Sequence, residues 1–270
     1  MDSLFNTIAA VYADDAHPAV VLFATAVLWF AGAVIASFSG LVASRIGSVP
    51  EGRSVIAAIS CPASYCDGCR RPLSPLELVP VIGWVLSRGR CNCGQKVSPF
   101  YPLAEFLAGT ATAAVPFVAG GSGPVTVALI GLIWAGLLVS WIDLREHIIP
   151  DEMTFVLLFA GLLLSPFEED AYMRAAGAAA CCGAMWISLA LTGWLKGVDT
   201  RAGGDVAMAA AAGAWIGVGG VPAYLLFACA FFAAHCIPLR LKGTDWVPMG
   251  PSLCAALVAA CLLGGNGFVR

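Results

Sequence analysis

The chain has 270 residues, of which 60% are hydrophobic and 11% charged, and its mean hydropathy is +0.87. A soluble domain is nearer half apolar with about a quarter of its residues charged, so these values exclude a water-soluble globular fold and point to an integral membrane protein. The net charge of -3 carries little by itself, because what matters is where the charges sit.

Residues 1–18 have no basic cluster ahead of an apolar core, so they read as an extracytoplasmic segment before a retained first span, not as a cleaved signal peptide. Hydropathy and helix breakers predict eight spans, at 19–43, 103–120, 124–142, 153–165, 174–194, 206–219, 222–238 and 248–264. The expected organisation is an N-terminal segment 1–18, a first transmembrane helix 19–43, a cytoplasmic zinc-binding loop domain 44–102 and a seven-helix membrane domain 103–270. The expected fold class is therefore all-α, a polytopic membrane helical bundle with a small zinc-binding cytoplasmic lobe. Tracts such as AAGAAACCGA (175–184) and MAAAAGAW (208–215) supply small residues that let apolar helices approach closely.

Orientation follows from the basic residues, which favour cytoplasmic loops. The 44–102 loop carries Arg45, Arg53, Arg70, Arg71, Arg88, Arg90 and Lys96, and an eight-span topology puts Arg145, Lys196, Arg201, Arg240 and Lys242 on the same side. Twelve of the 14 basic residues thus share one face, while Arg174 and Arg270 fall opposite with Asp2, Asp14, Asp15, Glu168, Glu169 and Asp170. Both termini are expected outside.

The loop contains CDGCRRPLSPLELVPVIGWVLSRGRCNCG (66–94), pairing Cys66-x-x-Cys69 with Cys91-x-Cys93. Four thiolates are a preferred shell for structural zinc, and two tight knuckles are how a short loop assembles one. One residue separates the second pair, so its turn must be tighter than usual, and Cys61 is a possible substitute ligand. The bland alternative is a reduced, metal-free loop. Cys181, Cys182, Cys229, Cys236, Cys254 and Cys261 fall inside spans, where a thiol is a small apolar packing residue.

Between spans three and four lies WIDLREHIIPDEMT (141–154), and VDTRAGGDVAMAA (198–210) leads into span six. A carboxylate at bilayer depth costs about 3 kcal/mol on insertion scales, so Asp143 and Asp205 are functional candidates. Gly203 and Gly204 let the backbone come close before Asp205, which gains from the positive end of its helix. Two carboxylates brought together can share one proton, one activating water and the other donating to a carbonyl oxygen. The alternative is that these acids merely solvate loop ends. No Ser-His or Cys-His arrangement competes, since no nucleophile adjoins His147 and His235 is alone in a span.

Taken together these motifs resemble the bacterial type IV prepilin peptidases, bifunctional leader peptidases and N-methyltransferases that belong to the GxGD membrane aspartyl proteases. ASFSGLVASR (36–45) resembles the family's G-S-F-x-N-x-x-x-x-R ending of span one, and RGRCNCGQKVSPFYPLAE (88–105) is close to its run into span two. DLREHIIPDEMT is similar to D-x-x-x-x-x-I-P-D, AGGDVAM falls where the family has G-x-G-D-x-K, and VPMGPSL (247–253) is similar to P-F-G-P-F. The resemblance implies Asp143 and Asp205 as catalytic residues, with Pro150, Asp151, Gly203, Gly204, Pro248, Gly250 and Pro251 as motif support. It implies Cys66, Cys69, Cys91 and Cys93 as zinc ligands and S-adenosylmethionine as methyl donor. The implied substrates are type IV prepilins or type II secretion pseudopilins, cut after the Gly that ends a basic leader and before an apolar helix that usually begins with Phe. The implied location is the bacterial inner membrane, multi-pass, with the active site facing the cytoplasm. Lipid bilayer is an expected partner and nucleic acid is not.

Some positions depart from the family pattern. Ala202 stands at the first Gly of G-x-G-D, Ala207 at the Lys, Gly40 at the Asn, and Met249 and Ser252 at aromatic positions. No glycine-rich fingerprint marks a methyl-donor site. Two further readings compete, a presenilin-like intramembrane protease and a non-enzymatic transporter or scaffold. The first expects a Tyr-Asp pair that Trp141-Ile142-Asp143 does not supply.

Overall fold

The computed structural model describes residues 2–13, 16–46, 64–197, 203–237 and 247–263. Cys61, Ala202 and the residues at 47–63 of the loop lie outside the described residues. All the regular structure described is helical: α1 Asp2–Val11, α2 Pro18–Ile46, α3 Ile82–Leu86, α4 Phe100–Val118, α5 Gly123–Glu146, α6 Asp151–Leu164, α7 Ala171–Lys196, α8 Gly203–Cys236 and α9 Gly250–Leu263. Among the described residues α2, α5, α7 and α8 are long and apolar enough to cross a membrane. The other expected spans fall on shorter or more polar helices. α4 carries Glu105, and α6 and α9 have 14 residues each. The chain divides into two compact units, Met1–Gly123 and Pro124–Arg270.

In the first unit α2 packs along α4 through glycines of both helices. A Cβ on Gly32 would meet Ala108 O at 2.7 Å, and one on Gly109 would meet Trp29 O at 2.7 Å. Backbone-to-backbone approach of this kind is what small residues allow in apolar surroundings. Between the two helices in sequence runs the cysteine lobe with its short helix α3. Glu105 of α4 is buried and accepts a 2.6 Å hydrogen bond from the backbone N–H of Val81, a residue held at φ 62 ahead of α3. A buried carboxylate needs such a donor, and this one ties the lobe to its helix.

The second unit is built around α8, against which α6, α7 and α9 pack. Gly177 of α7 and Gly213 of α8 face each other so closely that a Cβ on either would run into the backbone of its partner. Trp215 seats its ring at Gly161 of α6 and donates from Nε1 to Leu157 O at 2.9 Å, while Ser165 Oγ donates to Trp215 O at 2.5 Å. α8 is thus locked along α6 by an indole and two hydrogen bonds. The two spans expected at 206–219 and 222–238 correspond to two helical stretches of α8 that meet at a break at Gly217, with φ 65 and ψ 173. The break lies ahead of the GGVP turn signal because Gly217 alone takes a backbone conformation that other residues rarely adopt. Leu22, Phe23, Val156, Leu163 and Leu226 leave large apolar surfaces uncovered, as expected of helices that face lipid.

Candidate functional site

Asp143 sits in the last turn of α5, and its backbone carbonyl accepts the N–H of His147 at 3.0 Å where the helix ends. His147 takes φ 55, so the chain leaves the helix through a left-handed residue and turns into Ile148, Ile149 and Pro150. Pro150 is extended at φ -64 and ψ 130 and stands at the N-cap of α6, with Asp151 and Glu152 in the first turn. Proline has no N–H to lose there, and the two acids meet the positive helix end. Asp151 is exposed in the first turn of α6 and is not among the residues that line the cleft described next.

Asp205 lies in the first turn of α8. That turn rests on Ile149, since a Cβ on Gly204 would stand 2.8 Å from Ile149 Cβ and 3.0 Å from its carbonyl oxygen. Gly204 therefore permits the close approach read from the sequence. Gly203 does not share that role, because nothing stands within 4 Å of a Cβ placed on it. The result is a cleft of about 280 Å³ lined by Asp143 and Asp205 together, with His147, Ile148, Ile149, Gly203, Gly204, Val247, Pro248 and Met249. Acids 62 residues apart in sequence number share one cavity at the ends of two apolar helices.

One contact could not be read from the sequence. The backbone N–H of Gly250, at the start of α9, donates to Asp143 Oδ2 at 2.6 Å. A Cβ on Gly250 would stand 2.7 Å from that oxygen and 3.0 Å from Asp143 Cβ. Gly250 is thus both donor and steric requirement, while Pro248 lines the cleft and Pro251 lies in the first turn of α9. The signal was the pair of prolines enclosing a glycine. Backbone donors leave no mark of their own in a sequence.

In the first unit Cys66, Cys69, Cys91 and Cys93 form a cluster placed to hold a metal ion, their sulfurs all within 4.8 Å of one another. Cys66 and Cys93 sulfurs are 3.7 Å apart and those of Cys69 and Cys91 3.9 Å apart. Sulfurs bound at about 2.3 Å around a tetrahedral zinc stand about 3.8 Å apart, so the donor set fits that ion. Each pair rides on a tight knuckle. Tyr65 bridges to Pro72 and Arg90 to Lys96, with Arg70 N–H donating to Cys66 O and Gly94 N–H to Cys91 O. Gly94, at φ 90, makes the shortened second knuckle possible. The Cys93 backbone N–H, the Arg71 guanidinium and the Cys66 thiol bring Cys91 down to about 6 from 9.0. Cys93, despite the Gln95 backbone N–H, is pushed up to about 11 by desolvation and the neighbouring thiols, so Cys91 is the readier of the two to become the thiolate a metal needs.

Comparison with known proteins agrees with this layout. The model of the bacterial peptidase A24 N-terminal domain matches residues 30–118, and that of the type IV leader peptidase family matches residues 130–237. A protein of Burkholderia pseudomallei (strain 1026b) named prepilin leader peptidase/N-methyltransferase is 35% identical over 214 residues, 77% of this chain and 69% of that protein. Proteins of the same name from Aeromonas hydrophila and Klebsiella pneumoniae are 33% and 32% identical. They cover 77% and 74% of this chain, and 74% and 89% of their own lengths are matched. No solved structure gives a significant match. With both domain models matched in order and relatives aligned over most of their length, the chain belongs to the type IV leader peptidase family.

Proposed function

We propose that this protein is an aspartyl endopeptidase that removes the basic leader of type IV prepilins or type II secretion pseudopilins. The reading rests on one observation above others, that Asp143 and Asp205 line the same cleft. The printed names of the relatives favour a peptidase over a transporter or scaffold. A presenilin-like protease has no such support here.

Two adjacent carboxylates hold one proton between them. The Gly250 N–H occupies Asp143 Oδ2, which orients the carboxyl group and leaves Oδ1 to face a water in the cleft. The ionised carboxylate takes a proton from that water as its oxygen attacks the scissile carbonyl carbon. The protonated partner donates to the carbonyl oxygen, giving a neutral tetrahedral intermediate. Collapse then breaks the C–N bond, with the proton taken from water passing to the leaving amine and the other returning to the pair. Ile148, Ile149, Val247 and Met249 offer an apolar wall to the residue after the cut, and glycine before it needs little room.

We further propose that all eight apolar segments, and not the four long helices alone, cross the bacterial inner membrane, the short α6 and α9 crossing within the bundle. The cleft opens to the cytoplasm, and the four parts of the chain are those set out from the sequence. Cys66, Cys69, Cys91 and Cys93 would hold zinc, which orders a loop too small to build a core of its own. The N-methyltransferase part of the relatives' name extends the reading to methylation of the new N-terminus, for which S-adenosylmethionine supplies the methyl group. Mass spectrometry of a co-expressed prepilin tests both activities. The expected product lacks its leader up to the terminal Gly and carries one added methyl group. An intact prepilin would refute the peptidase reading, and a cleaved but unmethylated one the methylation.

A further inference from the structure

The cysteine lobe contains a side-chain ion pair between Arg71 and Glu77. Arg71 lies two residues after Cys69 and six before Glu77. Its guanidinium is held by two nearly parallel bonds, Nη1 donating to Glu77 Oε2 at 3.2 Å and Nη2 to Glu77 Oε1 at 2.7 Å. Glu77 is itself fixed, because Oε2 also accepts the Ser74 backbone N–H at 2.8 Å and the Ser74 hydroxyl at 2.9 Å. A fork held at both prongs has one direction left for its remaining Nη2 hydrogen. That hydrogen points at Cys91 Sγ, 3.8 Å from the nitrogen.

We propose that Arg71, aimed by Glu77, is the outer shell of the four-cysteine metal centre, donating to the Cys91 sulfur and offsetting the charge of the thiolates. Four thiolates around a divalent ion carry a net charge of about -2, which a nearby guanidinium partly neutralises. A donor to a ligating sulfur also weakens its push of electrons onto the metal, and outer partners of this kind set metal affinity. Lysine could not do both jobs, since it lacks the planar fork that binds Glu77 and Cys91 at once. Arg70, next in the chain, is a contrast. Its guanidinium stacks 4.9 Å over the Tyr65 ring, and its bond to a cysteine is made by the backbone N–H, which donates to Cys66 O and which a substitution leaves in place.

This inference rests on the reading of the cluster as a zinc site, and one set of measurements separates the two. Full-length protein in detergent is loaded with zinc, and release to a chromophoric chelator is timed for native protein, Arg71→Gln, Glu77→Gln and Arg70→Asn. Arg71→Gln is expected to release zinc about 10 to 100 times faster, with Glu77→Gln moving the same way and Arg70→Asn matching the native rate. In the cobalt-loaded protein the sulfur-to-metal charge-transfer band is expected to move to longer wavelength in Arg71→Gln, a change that mere loosening of the loop does not produce. Native release and an unmoved band in Arg71→Gln would overturn the proposal, as would equal acceleration by Arg70→Asn, which would reduce Arg71 to bulk charge. A native protein that binds no zinc at all overturns the metal-site reading itself.

Discussion

Asp143 is held in place by a glycine nitrogen, and that makes Gly250 the sharpest single-residue test of the cleft. In Gly250→Ala the new methyl would stand 2.7 Å from Asp143 Oδ2, well inside contact distance, so the carboxyl group must move. A misplacement of that order at reacting groups costs about 100-fold in rate. The expected outcome is that loss in prepilin cleavage in detergent, with little change in the protein's melting temperature. Glu77 gives a second test at this scale. The Arg71 guanidinium first, and then the backbone N–H and hydroxyl of Ser74, hold its carboxyl down at about 2 against an ordinary 4.5. Its contribution to stability is therefore complete above about 4.5 and is lost as pH falls through about 2. Carbon-13 NMR titration of the glutamates in the full-length protein should show one midpoint near 2, rising toward 4.5 in Arg71→Gln. An ordinary midpoint in the native protein would contradict the ion-pair geometry.

Helix pairs in both units meet on glycines, and the crossing of α7 and α8 is the tightest. Gly213→Val places branched carbons where the Gly177 backbone already lies, so the helices must separate. Overpacking of this kind typically costs 1–3 kcal/mol, and here backbone and not a flexible side chain has to yield. The melting temperature in detergent should fall clearly. Gly183→Val should change it little, since nothing stands within 4 Å of a Cβ there. Most of these elements were legible because apolar runs bounded by Pro, Gly and charge leave helix as the one way to satisfy the backbone in lipid. The kink was misplaced for a physical reason. Gly219, Gly220 and Pro222 carry the loudest turn signals, yet a helix in apolar surroundings tolerates them, while Gly217 bends beside Glu168. α1 went unread because ten residues of mixed polarity give no span signal.

At the scale of the whole chain, the sites were legible to different degrees. Asp143 and Asp205 stood out because a carboxylate at the edge of an apolar helix is costly unless something uses it. The cysteine knuckles stood out by spacing. Gly250 was legible as a motif position but its bond to Asp143 was not, and Glu105, Arg71 and Glu77 did not stand out, because backbone donors and loop ion pairs look like ordinary solvated polarity until coordinates place their partners. Cleavage by this mechanism needs both acids of the cleft as one unit. Native protein, Asp143→Asn, Asp205→Asn and the double variant, each reconstituted in liposomes with a prepilin, test it directly. Each single variant should lose about 10²- to 10⁴-fold in cleavage rate, and the double variant should be no slower than the slower single one. Cleavage at the native rate in either single variant would contradict the claim.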